Sequence, residues 1–136
     1  MLFRSHLTRF VLPRRVIEQS VRDVYGDPTL VTTALVDRYF ELTLREGNRA
    51  ALLQRITQLN AGEYTAQLAK LHLPTLILWG VQDRLIPPDN GDAFARDIVG
   101  SQLLRFPALG HVPQEEDPAA TVLPVEVILK SLVKPE

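Results

Sequence analysis

The stretch Thr75-Leu76-Ile77-Leu78-Trp79 constrains the fold of this chain more than any other. It is a short, continuous apolar run rich in strand formers, introduced by Pro74 and closed by Gly80. Such a run lacks polar alternation and is too short for an ordinary helix. It fits a strand buried on both faces, as in a parallel sheet. A second strand is predicted over Gln102 to Phe106. Between the two, Pro87-Pro88-Asp89 starts a helix with Ala93, Phe94 and Ile98 on its apolar face, and Gly100 ends it. A strand–helix–strand unit of this length suits a right-handed parallel crossover.

The texture changes near residue 74, and the chain before it reads as helical. Residues Met1 to Leu12 are apolar and basic with no clear period. Pro13 fits the first turn of a helix, where its missing N–H costs nothing. Val16, Ile17, Val21, Val24 and Tyr25 then share one face, and Gly26-Asp27-Pro28 stops the helix. Thr32 or Thr33 caps the next helix, with Leu35, Val36, Tyr39, Phe40 and Thr43 as its stripe and Glu46-Gly47-Asn48 as its end. A third helix from about Arg49 turns Leu52, Leu53, Ile56 and Leu59 inward. Asn60-Ala61-Gly62 is a break, and Tyr64 to Leu71 form a short fourth helix. At the far end, Pro107 to Asp117 read as a polar loop. Pro118 opens a last helix with Ala119, Val122, Val125, Ile128, Leu129 and Leu132 inward. Pro124 inside it predicts a kink, or two short helices, because an interior proline costs about 3 kcal/mol.

Composition excludes several classes of function. The 136 residues carry 15 Lys and Arg against 16 Asp and Glu, a net charge of −1. That balance offers no electrostatic footprint for nucleic acid or an anionic membrane. There is no Cys, which removes disulfides, thiolate metal sites and a cysteine nucleophile. The longest unbroken apolar run, Leu76 to Val81, is far short of the roughly 20 residues that span a bilayer. Met1-Leu2-Phe3-Arg4 lacks the pattern of a secretory leader. The expectation is a soluble, cytoplasmic protein.

Two loops, each directly after a predicted strand, carry the chemistry. The first is Trp79-Gly80-Val81-Gln82-Asp83-Arg84-Leu85-Ile86-Pro87, and the second is Gly110-His111-Val112-Pro113-Gln114-Glu115-Glu116-Asp117-Pro118. Ligands of open α/β sheets bind outside the carboxyl ends of the strands. Asp83 and His111 are both expected there, on neighbouring strand ends. An aspartate can orient a histidine and stabilise its imidazolium while the histidine acts as general base. The order aspartate, then histidine, agrees with the nucleophile–acid–histidine order of one triad class.

With these residues the chain resembles the α/β-hydrolase family, in particular the last part of a member with a helical cap. Gly80, Asp83 and Pro87 match a G-x-x-D-x-x-x-P pattern. Gly110, His111, Pro113, Glu116 and Pro118 match G-H-x-P-x-x-E-x-P. The resemblance covers about Thr65 to Leu132. It implies an α/β chain with a partial α/β-hydrolase fold: a cap or lid segment over residues 1–64, then a core segment over 65–136 with the last two parallel strands and their helices. It implies Asp83 as catalytic acid and His111 as catalytic base. The implied reaction is hydrolysis of an ester-like or related small organic substrate through a covalent intermediate, with no cofactor. Related members open epoxides, remove halides or cleave C–C bonds in ring-fission products.

The chain departs from the family where the nucleophile belongs. Ser5, Ser20, Ser101 and Ser131 all lie outside any G-x-S-x-G elbow, and no Gly-rich oxyanion loop of the H-G-G-G type is present. Ser101 precedes a strand, at the end opposite the two loops. The expectation is a C-terminal piece that is inactive by itself and takes a small-molecule substrate only when a nucleophile half completes it. The alternative is a non-enzymatic interaction or complementation module that associates through the unpaired edge of the first strand. The remaining residues have plainer readings. Glu115, Glu116 and Asp117 read as a solvated loop complementing a helix N-terminus, not as a metal site. His6 and His72 have no partner spacing. Trp79 reads as core or pocket wall, and Tyr25, Tyr39, Phe40 and Tyr64, at helical spacing, read as packing residues, although cap aromatics can line a substrate pocket.

Overall fold

A computed structural model of the chain describes residues 13–58 and 65–133. The readings of Met1 to Leu12 (with Ser5 and His6), of Leu59, of the break at Asn60-Ala61-Gly62 and of Tyr64 lie outside these residues. So does the side chain of Ile56.

The helices in order are α1 (Arg14–Val24), α2 (Thr33–Leu44), α3 (Asn48–Thr57) and α4 (Thr65–Leu68), with a 3-10 turn at Pro28–Leu30 after α1. Then come β1 (Leu76–Gly80), α5 (Asp89–Asp97), β2 (Gln102–Phe106), α6 (Pro113–Glu116) and α7 (Pro118–Leu132). The chain divides into two compact units. One comprises Met1–Arg22 and Val31–Ala61, the other Asp23–Leu30 and Gly62–Glu136.

In the first unit, Ile17 and Val21 of α1 and Val36 of α2 are buried. The Thr32 hydroxyl caps α2 by accepting from Leu35 N at 3.2 Å. Capping by threonine satisfies one of the amides that a helix start leaves without a partner. Arg14 pairs with Asp37 at 2.6 Å on the exposed side. Gly47 takes φ +83° in the turn between α2 and α3. Leu52 and Leu53, expected inward, are more than half exposed. The apolar spacing of α3 marks a face, but spacing alone does not supply an element to cover it.

In the second unit, β1 and β2 form a two-stranded parallel sheet among the described residues. Leu76 pairs with Gln102, and the register runs to Gly80 opposite Phe106. α5 makes the crossover that a parallel pair requires. Leu76 to Trp79 are half-buried, where burial on both faces was expected. Among the described residues β1 has a strand partner on one edge only, so its side chains gain incomplete cover.

α7 runs through Pro124 as one assigned helix, not two. The Asp117 carboxylate caps it by accepting from Ala120 N at 2.9 Å. The ring removes one main-chain donor from a helix long enough to keep its remaining bonds. Its burial also differs from expectation. Thr121 is buried and Val125 and Ile128 are half-buried, whereas Val122, Leu129 and Leu132 are about half exposed. Among the described residues no helix is long and apolar enough to cross a membrane.

Candidate active site

Both loops start at the carboxyl end of the sheet. Val81 N donates to Phe106 O and Gln82 N to Leu109 O, each at 2.9 Å, so the segments leaving β1 and β2 are tied together beyond the last ladder pair. Gly80 ends β1, where a Cβ would fall on the carbonyl oxygens of Gly110 and Leu109. Only a residue without a side chain permits this approach.

Asp83 sits in a turn of its own making. Its Oδ1 accepts from the amides of Leu85 at 2.9 Å and Ile86 at 2.8 Å, a local side-chain-to-backbone arrangement typical of aspartate. The second oxygen, Oδ2, lies 2.9 Å from His111 Nδ1. The two residues expected at neighbouring strand ends are therefore in contact. Their exposures differ: the Asp83 side chain is 4% exposed and that of His111 is 30% exposed. The carboxylate is shielded by the protein, while the imidazole can be reached from outside. An ionised carboxylate can only accept, so the contact is made by an Nδ1–H donor, and in the neutral ring that tautomer leaves the lone pair on Nε2.

The backbone behind His111 is held by residues far away in sequence. His111 N donates to Val24 O at 2.7 Å. The Glu116 carboxylate takes two amides, Gly110 N on Oε1 and Gly26 N on Oε2, each at 2.7 Å. Glu115 Oε2 accepts from the hydroxyl of the buried Tyr25 at 3.3 Å. The acidic run is therefore not a solvated loop. Glu116 and Glu115 bind the segment after α1, and Asp117 caps α7. The sequence placed Glu116 in a motif without indicating what it would bind. Gly26 read as a helix stop, yet it is not among the glycines with positive φ. It lies so close to Ala108 O and Gly110 N that a Cβ has no room.

Beside the pair lies a hollow of about 130 Å³ lined by Leu78, Trp79, Gly80, Ile86 and Pro113 together with Asp83 and His111. Ligand pockets usually reach roughly 300–1,000 Å³, so this hollow is smaller than an ordinary ligand pocket. The described serines are occupied locally. Ser20 Oγ donates to Val16 O, Ser131 Oγ to Ile128 O and Ser101 Oγ to Ala95 O. His72 is exposed. Among the described residues, no group of three or more His, Cys, Asp and Glu side chains is arranged to hold a metal ion.

A profile of the alpha/beta hydrolase fold matches residues 4–118, most of the chain. The chain belongs to the α/β-hydrolase fold family. Among its hydrolase relatives is YugF, an uncharacterized hydrolase of Bacillus subtilis, 25% identical over 124 residues. That match covers 87% of this chain and 45% of YugF. A 2-hydroxy-6-oxononadienedioate/2-hydroxy-6-oxononatrienedioate hydrolase of Escherichia coli is 34% identical over 92 residues, 62% of this chain and 32% of the relative. An esterase of Exiguobacterium antarcticum superposes with a TM-score of 0.72 at 17% identity, over 86% of this chain and 42% of the esterase. This α/β-hydrolase chain thus spans less than half the length of these relatives. The two parallel strands and the helices of the described residues are a partial α/β-hydrolase fold.

Proposed function

We propose that the chain supplies the acid–base part of a nucleophile–acid–histidine hydrolase site, with Asp83 as the acid and His111 as the base. The observation that carries this reading is the 2.9 Å contact between shielded Asp83 Oδ2 and accessible His111 Nδ1. In the proposed reaction, His111 Nε2 takes the proton of an attacking nucleophile as it adds to a carbonyl carbon, and delivers it to the leaving group. Water then attacks the covalent intermediate by the same route and releases the acid. Asp83 holds the ring and stabilises the imidazolium in both halves. The substrate is an ester or related small organic molecule. The hydrolase relatives support that class, and the name of the E. coli relative extends it to 2-hydroxy-6-oxo dicarboxylates of the kind it names. The nucleophile comes from outside these 136 residues, which contain no G-x-S-x-G elbow. The chain alone is therefore inactive. Residues 1–64 act as the cap segment and 65–136 as the core segment.

The test is hydrolysis of p-nitrophenyl butyrate, first by the chain alone. It is then repeated with a separately encoded amino-terminal half of a relative that carries an elbow serine. The expected result is background for the chain alone and, for the pair, turnover that falls roughly a hundredfold or more in His111→Ala. Turnover by the chain alone that drops in His111→Ala overturns the external nucleophile. Restored turnover indifferent to both Asp83 and His111 overturns their roles.

A second reading, an interaction module, is favoured by the β1 edge that has no strand partner among the described residues. Such an edge offers unpaired main-chain groups to another chain. Light scattering separates the two: a tight, cooperatively melting dimer supports the module, and a monomer opposes it.

A further inference from the structure

We propose that Glu116 is a positioning residue for His111, acting through the two main-chain amides that its carboxylate binds; this rests on the reading of Asp83 and His111 as an acid–base pair. Gly110, whose N–H is 2.7 Å from Glu116 Oε1, directly precedes His111. Gly26, whose N–H is 2.7 Å from Oε2, follows the Val24 carbonyl that receives His111 N by one short step. One carboxylate thus joins the two strips of backbone whose relative placement sets where the imidazole starts.

The chemistry of the junction favours an acidic residue. Two N–H donors converge from two sides, and a carboxylate has two oxygens and no donor of its own. Side-chain packing cannot replace it. A Cβ on Gly110 would lie 2.5 Å from Gly26 N and Val24 O, so the two backbones meet with no room for side chains between them. Hydrogen bonds to an ionised acceptor are about twice as strong as neutral ones. Glu116 is itself held by α6, where its own N–H donates to Val112 O and Asp117 N to Pro113 O. The reach from α6 to the junction is therefore fixed. A displacement of the His111 backbone by a fraction of an ångström would be passed to a 2.9 Å contact with Asp83 that has little slack.

The experiment uses the full 15N-labelled chain at about pH 8, above the ordinary imidazole range. Long-range 1H–15N spectra report which ring nitrogen of His111 carries the proton, and amide exchange is followed at Gly26 and Gly110. Asp83→Asn sets the signature of a ring that has lost its partner. In Glu116→Ala, the His111 ring signals are expected to move towards that signature, and both amides to exchange at least about tenfold faster. Glu116→Gln keeps the shape but has a single side-chain oxygen. It is expected to give an intermediate shift and to free one amide, and it carries the test if the alanine variant does not fold. If Asp83→Asn alters the ring signals while folded Glu116 variants leave them unchanged, the positioning role is overturned and the pair stands. If Asp83→Asn itself leaves the ring unchanged, the pair reading fails and takes this inference with it.

Discussion

The main-chain N–H of His111 donates to the carbonyl of Val24 at 2.7 Å, so the loop that bears the proposed base is seated on the last residue of the first helix. The same few residues receive Glu116 through Gly26 and Glu115 through Tyr25. The candidate site thus depends on the segment Asp23–Leu30, which packs within the carboxyl-terminal unit.

Asp83 has two separable duties, one to the backbone and one to His111. Asp83→Ala removes the acceptor for Leu85 N and Ile86 N, and is expected to lower stability by about 1–3 kcal/mol. Asp83→Asn keeps one oxygen for those amides and is expected to cost less than about 1 kcal/mol. Urea unfolding of the two variants measures the difference. Equal losses would mean that the turn does not depend on that oxygen.

The glycines fall into two classes with different expected penalties. Alanine at Gly80 or Gly110 forces a methyl into main-chain atoms and is expected to cost about 3 kcal/mol or more. Alanine at Gly47 meets open space and pays only for φ +83°, about 1–2 kcal/mol. Thermal melts of the three variants should rank Gly47→Ala as the mildest.

Asp27 provides the acid-side prediction. The Thr29 hydroxyl, at 2.7 Å, and then the Thr29 amide, at 2.8 Å, hold its carboxyl below the usual range. A folded-state value below the unfolded one favours the native chain above the unfolded value. That contribution disappears as pH falls through the folded value. Thr29→Ala, which removes the larger cause, is expected to raise the Asp27 midpoint in an NMR carboxyl titration. No change would overturn the assignment of cause.

Pro124 interrupts the hydrogen-bond ladder of α7. Pro124→Ala restores an N–H four residues after Ala120 and is expected to stabilise the protein by about 1–3 kcal/mol. A gain in the midpoint of chemical unfolding at unchanged slope would show it. A loss would mean that the ring itself packs.

Much of the carboxyl-terminal half was legible in sequence because local chemistry decided it. The β2 boundaries follow from Gln102 to Phe106 as expected, and β1 lies one residue later than the apolar run Thr75 to Trp79. Asp83 and His111 meet because each follows a strand of one parallel pair. What escaped was non-local. Glu116 and Gly26 acquire their partners only when residues distant in sequence converge, and no periodicity encodes that. The inward faces of α3 and α7 were misjudged for a related reason. Leu52, Leu53, Val122 and Leu129 have the spacing of a buried stripe, but burial needs a second surface that helix periodicity does not describe.

The junction at Gly26 and Gly110 also bears on how the molecule comes into being. Val24 and Gly26 leave the ribosome long before Gly110, His111 and Glu116 exist, so the seat of the histidine loop must wait, unsatisfied, for most of synthesis. Closing that long loop is a late and entropically costly event. Expressing the stretch beyond residue 62 as a separate domain would remove the seat altogether, leaving the Gly110–His111 turn with nothing to lean on.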